Sequence, residues 1–265
     1  VGSSYIHFNF TPQQDKATAS LIGDVPRGVM LRERPIFLGG QGGLVGPARI
    51  GYGTVIAAGI VFRGDCPEGG KLIHSGSGTN RDAPFYPGLY GSVNRRVQNN
   101  LTYLANLLAL KQWYAHARHP FWAGDALGEP LYRGALETLE RALRERLKRL
   151  DELEEKMDGS LAAAGTYLKG DKKKRIVGEQ RNFLDRWPEI RSVFSHRIEE
   201  SLGLEDRRLF LEKLQETAEK HEKYLPTIKA LTPEAVAAGE RWLRHIVDGI
   251  TARAMACLTG KTDKP

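Results

Sequence analysis

A six-residue repeat between Leu44 and Phe62 constrains the fold of this chain most strongly. A large apolar residue returns at every sixth position, namely Leu44, Ile50, Ile56 and Phe62. Small residues and glycines lie beside them and permit tight corners between short strands. This spacing is typical of a β-solenoid, in which three short strands form one triangular coil and the apolar residue fills its interior. The repeat therefore predicts a solenoid in the first part of the chain.

A change of composition near residue 92 indicates a second part. Residues 1–92 hold 18 of the 29 glycines, whereas Ala, Leu, Glu, Lys and Arg dominate the residues that follow. Between the two parts, Ser, Gly, Asn, Asp and Pro predict a loop. We therefore expect a β-solenoid of hexapeptide repeats at residues 1–75, a linker at 76–92 and an all-α helical bundle domain at 93–260.

Apolar residues recur at helical spacing in the second part. Residues 169–175 are polar and basic and predict a solvated loop, and the four tryptophans are expected to pack in the core. The spacing predicts helices over 93–118, 134–158, 176–202, 206–225 and 233–258.

Charge and cysteine content limit the classes of partner. The formal net charge of +7 at pH 7 suits an anionic substrate. It would suit nucleic acid as well, but acids interleave with the bases along the helices, so we expect no nucleic-acid partner. Only Cys66 and Cys257 are present, which fits a reducing, cytoplasmic setting. No signal peptide or apolar run of transmembrane length is found, so no membrane partner is expected.

The start of the chain predicts that repeats precede it. The sequence begins at Val1 rather than Met, and residues 1–6 already read like a solenoid repeat. Natural solenoids close with an atypical repeat, because an uncapped end exposes the apolar interior. We therefore expect this sequence to be the C-terminal part of a longer protein.

Six short motifs in the first part carry a resemblance to a known family. They are Asn9-Phe10-Thr11-Pro12 with Lys16, Ile22-Gly23-Asp24, Phe37-Leu38-Gly39-Gly40, Leu44-Val45-Gly46-Pro47, Ile56-Ala57-Ala58-Gly59 and Arg63-Gly64-Asp65-Cys66-Pro67-Glu68-Gly69. In this order, over about 60 residues, the chain resembles the acetyltransferase region of the bacterial bifunctional N-acetylglucosamine-1-phosphate uridylyltransferase/glucosamine-1-phosphate acetyltransferase, which makes UDP-N-acetylglucosamine.

The resemblance implies a left-handed parallel β-helix that assembles as a homotrimer. It implies a site between neighbouring subunits, where acetyl-CoA, as cosubstrate, acetylates the amine of a sugar phosphate. A nucleotidyltransferase domain would lie upstream. The second part has no counterpart in that family's short tail.

The same resemblance implies roles for residues near the start of the chain. By position, Asn9 and Phe10 would lie near the acetyl group and the sugar, and Lys16 near the family's loop lysine. The family's catalytic histidine would fall before Val1. His7 is the histidine closest in sequence to Asn9, and strand alternation would put both on one side, so His7 and Asn9 are the catalytic candidates. A structural role in the coil remains open for both.

Three later positions are implied to bind substrate or cofactor. Gly40 falls where the family has a serine, Ala58 where it has an alanine whose backbone faces the cofactor, and His74 where it has an arginine near the cofactor phosphates. Gly40 lacks the serine hydroxyl, and the sequence Phe10-Thr11-Pro12 stands where the family has Tyr-Asp-Gly. These departures keep an alternative open, in which the chain is a non-catalytic trimerisation or regulatory module with a partner-binding helical domain. Whether the protein is an enzyme therefore stays open.

A metal site is not expected. His116 and His119 are three residues apart at a helix end, but no third ligand accompanies them.

Overall fold

The computed structural model describes residues 19–74, 86–195 and 201–259. Of these residues, 66% are helical, and every strand is two residues long. In chain order the strands are β1 (Leu21–Ile22), β2 (Phe37–Leu38), β3 (Gly43–Leu44), β4 (Arg49–Ile50), β5 (Val55–Ile56), β6 (Val61–Phe62) and β7 (Leu72–Ile73).

The strands form three small parallel sheets. Two of them have two strands each, β1 beside β4 and β3 beside β6, and the third has the order β2-β5-β7. In the three-stranded sheet Phe37 aligns with Val55, which aligns with Leu72. The apolar residues of the repeat pack together. Leu44, Ile50 and Ile56 are buried in one cluster, and the half-buried Phe62 packs against it.

The predicted left-handed β-helix of hexapeptide repeats, followed by a helical bundle, is wrong. The described residues are mainly helical, and none of their small sheets forms a solenoid. A solenoid needs several full repeats stacked on one continuous core, whereas these sheets hold only two or three strands. Between β1 and β2 the chain also leaves the strands for a short helix, α1 (Val25–Gly28). The six-residue spacing therefore describes a local arrangement and not the architecture of the molecule.

Seven further helices make up most of the structure. They are α2 (Val93–Trp113), α3 (Gly128–Glu155), α4 (Met157–Tyr167), α5 (Gly170–Val193), α6 (Leu204–His221), α7 (Tyr224–Ala230) and α8 (Pro233–Thr259). A π-helical turn (Tyr114–Arg118) and a 3₁₀ turn (His119–Phe121) continue α2. Helix α8 lies at the centre and packs against α1, α2, α5 and α6. No helix in the described ranges is long and apolar enough to cross a membrane.

The helix predictions are confirmed where apolar periodicity was strong. The element predicted at 93–118 is α2 with its π turn, and the one predicted at 233–258 is α8. The predicted loop at 169–175 is wrong, because α5 begins at Gly170 and its basic first turns are exposed to solvent. The proposed division into domains stays a prediction.

Two apolar cores hold the helices together. The first surrounds Trp113, whose ring centroid lies 5.2 Å from that of Phe210 and 6.4 Å from that of Trp242. The second surrounds Phe183 and Trp187, whose ring centroids lie 5.6 Å apart with the ring planes tilted by 46°. Burial of Trp113, Trp187 and Trp242 confirms the prediction for these three, while Trp122 is only partly buried.

Helix α2 also holds the strand-bearing segment in place. Asn99 accepts a hydrogen bond from Nε of Arg49 at 2.9 Å, and Asn106 accepts one from the backbone N–H of Val25 at 2.9 Å. Nη2 of Arg95 donates to the carbonyl of Pro47 at 2.8 Å. Positions 95, 99 and 106 share one face of a helix, because they are separated by four and seven residues. The two parts of the chain therefore meet along α2.

Candidate functional site

Three of the residues implied by the resemblance lie at one corner of the strand segment. Gly40 follows β2, Ala58 follows β5 and His74 follows β7, and these three strands are neighbours in one sheet. The carbonyl of Gly40 accepts a hydrogen bond from the N–H of Gly59 at 2.9 Å. Ala58 and His74 are exposed. The described corner thus exposes one imidazole, whereas the carbonyl of Gly40 is already paired.

Close approach of the chain explains the small residues at this corner. A Cβ atom on Gly39 would lie 2.4 Å from the backbone nitrogen of Ala58. Glycine is therefore required at position 39, because the chain after β2 packs closely against the chain after β5. His7, Asn9, Phe10 and Lys16 lie outside the described residues, so their predicted roles stay predictions.

A groove of about 390 Å³ lies where the strand segment meets the beginning of α2. The strand side contributes Val45, Gly46, Pro47, Arg63 and Gly64, and the helix side contributes Leu89, Tyr90, Gly91, Ser92, Arg95 and Arg96. Three of these described lining residues are arginines, and the lining contains no acidic residue. We refer to this feature as the arginine groove.

The three guanidinium groups differ in their surroundings. Arg63 is exposed, and Arg95 is half exposed and forms an ion pair with Asp65 at 2.9 Å. Arg96 is partly buried, and its guanidinium carbon lies 5.4 Å from the ring centroid of Tyr90. Burial lowers the pKa of Arg96 to about 10, so its guanidinium remains charged at neutral pH. The groove therefore carries a positive charge at its floor as well as at its rim.

The beginning of α2 adds to this positive potential. Ser92 precedes the helix, its side chain makes no capping hydrogen bond, and the first turn contains no acidic residue. The unpaired N–H groups of a helix start carry partial positive charge and attract anions. The N–H of Asn94 does reach a carboxylate oxygen of Glu179, at 3.5 Å. The groove thus combines arginines with a helix N-terminus of the same sign.

Buried hydrogen bonds fix the segment that precedes α2. The hydroxyl oxygen of Ser160 accepts from the N–H of Tyr90 at 2.9 Å and from Nε2 of Gln180 at 2.8 Å. The same Gln180 amide donates to the carbonyl of Tyr90 at 2.7 Å. Ser160 and Gln180 are fully buried. The Tyr90 hydroxyl is buried and has no hydrogen-bond partner among the described residues. The backbone of Tyr90, at the wall of the groove, is therefore held by buried hydrogen bonds.

Sequence reasoning missed Arg95 and Arg96. The available signal was a pair of arginines in the first turn of a predicted helix, three and four residues after Ser92 and without an acid beside them. Arg63 belongs to a motif of the resemblance, but no role was inferred for it. Only the fold brings these positions together.

The two histidines considered as metal ligands have other surroundings. Nε2 of His119 lies 3.3 Å from a carboxylate oxygen of Glu129, and its ring lies 4.3 Å from that of Tyr132. The rings of His116 and Trp242 lie 6.0 Å apart between centroids, with their planes at 70°. Within the described residues, no group of three or more His, Cys, Asp or Glu side chains could hold a metal ion.

No family model, curated protein or solved structure matches this chain significantly. The resemblance to the acetyltransferase region stays a prediction.

Proposed function

We propose that the arginine groove binds the phosphate of a small phosphorylated molecule. The observation that carries this proposal is the convergence of Arg63, Arg95 and Arg96 with the N-terminus of α2 on one groove. A planar guanidinium donates two parallel hydrogen bonds to phosphate oxygens, and such charge-assisted bonds are stronger than neutral ones.

The size of the groove favours a sugar phosphate as the ligand. A volume of about 390 Å³ lies in the lower part of the range for small-molecule sites, which is about 300 to 1,000 Å³. Val45 and Leu89 supply apolar contacts for the body of the ligand. The resemblance independently implies a sugar phosphate. Acetyl transfer from acetyl-CoA stays a proposal based on the resemblance, since its candidate residues His7 and Asn9 lie outside the described residues.

Calorimetry with glucosamine 1-phosphate and with glucosamine tests the proposal. We expect binding of the phosphorylated sugar only, and we expect Arg63→Ala to weaken it about tenfold, because a hydrogen bond to a charged group contributes about 1.5 to 3 kcal/mol. Arg181→Ala is the matched control, since Arg181 is exposed and does not line the groove. Equal affinity for the two sugars, or equal losses in the two variants, would refute the proposal.

A second candidate function is assembly without catalysis. Phe37 and Leu72 are 55% and 65% exposed on one face of the three-stranded sheet, with Val55 between them. Exposed apolar rows of this kind favour contact with another protein surface. We propose a second copy of this chain as the partner, in keeping with the trimer that the resemblance implies.

Light scattering tests the assembly role. It should give an oligomer that Phe37→Ser dissociates and that Tyr167→Ser, a change at another exposed ring, leaves intact. A monomer at every concentration contradicts this role.

A further inference from the structure

A second cavity, of about 510 Å³, lies between α6 and the turns that follow α2. It is separate from the arginine groove, and the proposed function makes no use of it. Its described lining residues are His116, Pro120, Phe121, Leu211, Leu214, Gln215, Ala218 and Glu222.

One wall of this cavity is an irregular helix. Residues Tyr114–Arg118 form a π turn, and His116 within it lines the cavity. π turns are rare in helices and occur frequently at functional sites. Arg118 anchors the end of this turn by contacts with two aromatic rings. Its guanidinium carbon lies 4.3 Å from the ring centroid of Trp122 and 3.9 Å from that of Tyr224.

The opposite end of the cavity holds a strained residue. Glu222 directly follows α6 with φ of 55° and ψ of −31°, a backbone conformation that favours glycine. Its N–H donates to the carbonyl of Ala218 at 2.8 Å, and the N–H of Lys223 donates to the carbonyl of His221 at 2.5 Å. Strained residues persist where the surrounding structure holds them, and they cluster at ligand sites. Two independent backbone irregularities thus border one cavity.

The lining favours a ligand with an apolar body and a positive end. Phe121, Leu211 and Leu214 provide apolar surface. The only formal charge among the described lining residues is the carboxylate of Glu222, which lies at the C-terminus of α6, where the helix dipole is negative. Lys220 and Lys223 are close along the chain but do not line the cavity.

We propose that this cavity binds a small apolar amine. The ammonium group contacts the Glu222 carboxylate and the last carbonyls of α6, while the apolar body packs against Leu211, Leu214 and Phe121. The His116 ring and the Gln215 amide complete the polar rim. This binding is independent of phosphate binding in the arginine groove.

Calorimetry with three probes that share a phenylethyl body tests the charge preference. We expect 2-phenylethylamine to bind more tightly than 2-phenylethanol, and 3-phenylpropanoate to bind least. Glu222→Gln should weaken binding of the amine about fivefold and leave the alcohol unchanged, as expected for an ion pair exposed to solvent. Glu219→Gln is the matched control, because it removes the same charge from an exposed residue that does not line the cavity.

Filling the cavity provides a second test. Ala218→Leu adds a larger side chain at a lining position and keeps a good helix former. It should abolish binding of the amine and the alcohol alike, while thermal unfolding shows a folded protein. The proposal is overturned if no probe binds at 10 mM, if the alcohol binds as tightly as the amine, or if Glu219→Gln weakens the amine as much as Glu222→Gln does.

Discussion

Nε of Arg49 donates to the side-chain oxygen of Asn99 at 2.9 Å, and this bond joins strand β4 to helix α2. Asn99 is 1% exposed, and its amide group also approaches the carbonyl of Ala19, at 3.4 Å. One buried amide therefore hydrogen-bonds both the Arg49 side chain and the Ala19 carbonyl. Because both lose their partner when the amide is removed, this side chain links the stability of the strand segment to the helices.

Asn99→Ala should lower the free energy of unfolding by about 2 to 3 kcal/mol, because it leaves a charged donor and a backbone carbonyl unpaired. Urea unfolding followed by circular dichroism measures this loss. Asn94→Ala, at an exposed position of the same helix, is the control and should cost under about 0.5 kcal/mol. Equal losses in the two variants would show that the buried amide has no special role.

Ser160→Ala should lower the free energy of unfolding by about 1 to 3 kcal/mol, because the N–H of Tyr90 and one donor of Gln180 lose their acceptor in a buried place. It should also weaken phosphate binding, since the segment that lines the arginine groove is no longer fixed. Ser195→Ala, at an exposed serine, should change neither quantity. Stability and phosphate affinity that both match those of the original protein would count against this network.

Glu222→Gly should raise the melting temperature, because glycine adopts a positive φ without strain. We expect a gain of up to about 1 kcal/mol, the balance of relieved strain and the greater freedom of glycine in the unfolded chain. Glu219→Gly, inside α6, should have the opposite sign and cost about 1 kcal/mol. Calorimetric melting of both variants checks this, and a shared direction of change would contradict the strain at Glu222.

Glu240→Gln should stabilise the protein more at pH 7 than at pH 4. Burial raises the pKa of the Glu240 carboxyl above its usual range, with Glu33 and Asp24 acting in the same direction and Arg244 and Arg27 against them. The folded protein then holds this proton more tightly than the unfolded chain does. The resulting stability is present below the unfolded pKa and is lost as the pH rises through the folded pKa.

Urea unfolding at the two pH values measures the effect at Glu240. Glu212→Gln, at an exposed position, should show no such difference. A Glu240→Gln variant with the same gain at both pH values would contradict the assigned cause.

The helices could be predicted where packing and local chemistry agree. In α8, Thr232 precedes Pro233, and apolar residues recur along one face as far as Leu258. The hydroxyl of Thr232 does accept a hydrogen bond from the N–H of Ala235, at 3.2 Å. In α5, by contrast, the first turns are basic on every side and carry no periodic signal. They extend a helix whose later residues bury one face, which begins with Ile176 and includes Phe183 and Trp187.

The repeat predicted burial correctly but not architecture. Leu44, Ile50 and Ile56 are buried together, as a six-residue period requires. That period does not determine how many strands stack, nor that the chain leaves the strands between β1 and β2. The arginine groove was beyond sequence reasoning for a related reason. Arg63 and Arg95 are 32 positions apart, and they meet only because α2 binds the strand segment.

Met30 lies next to the strands in sequence, yet it is fully buried in the helical core with Phe210. Gly239 of α8 leaves the space that Met30 occupies, since a Cβ there would lie 2.4 Å from the methionine methyl group. A fragment starting at residue 86 would leave the space beside Gly239 empty. The loss of folding free energy grows with the volume of such a cavity. The helices therefore lose core packing when they are separated from the strand segment. A side chain at position 239 does not replace Met30 unless Phe210 moves, since a Cβ there would also lie 2.7 Å from the Phe210 ring.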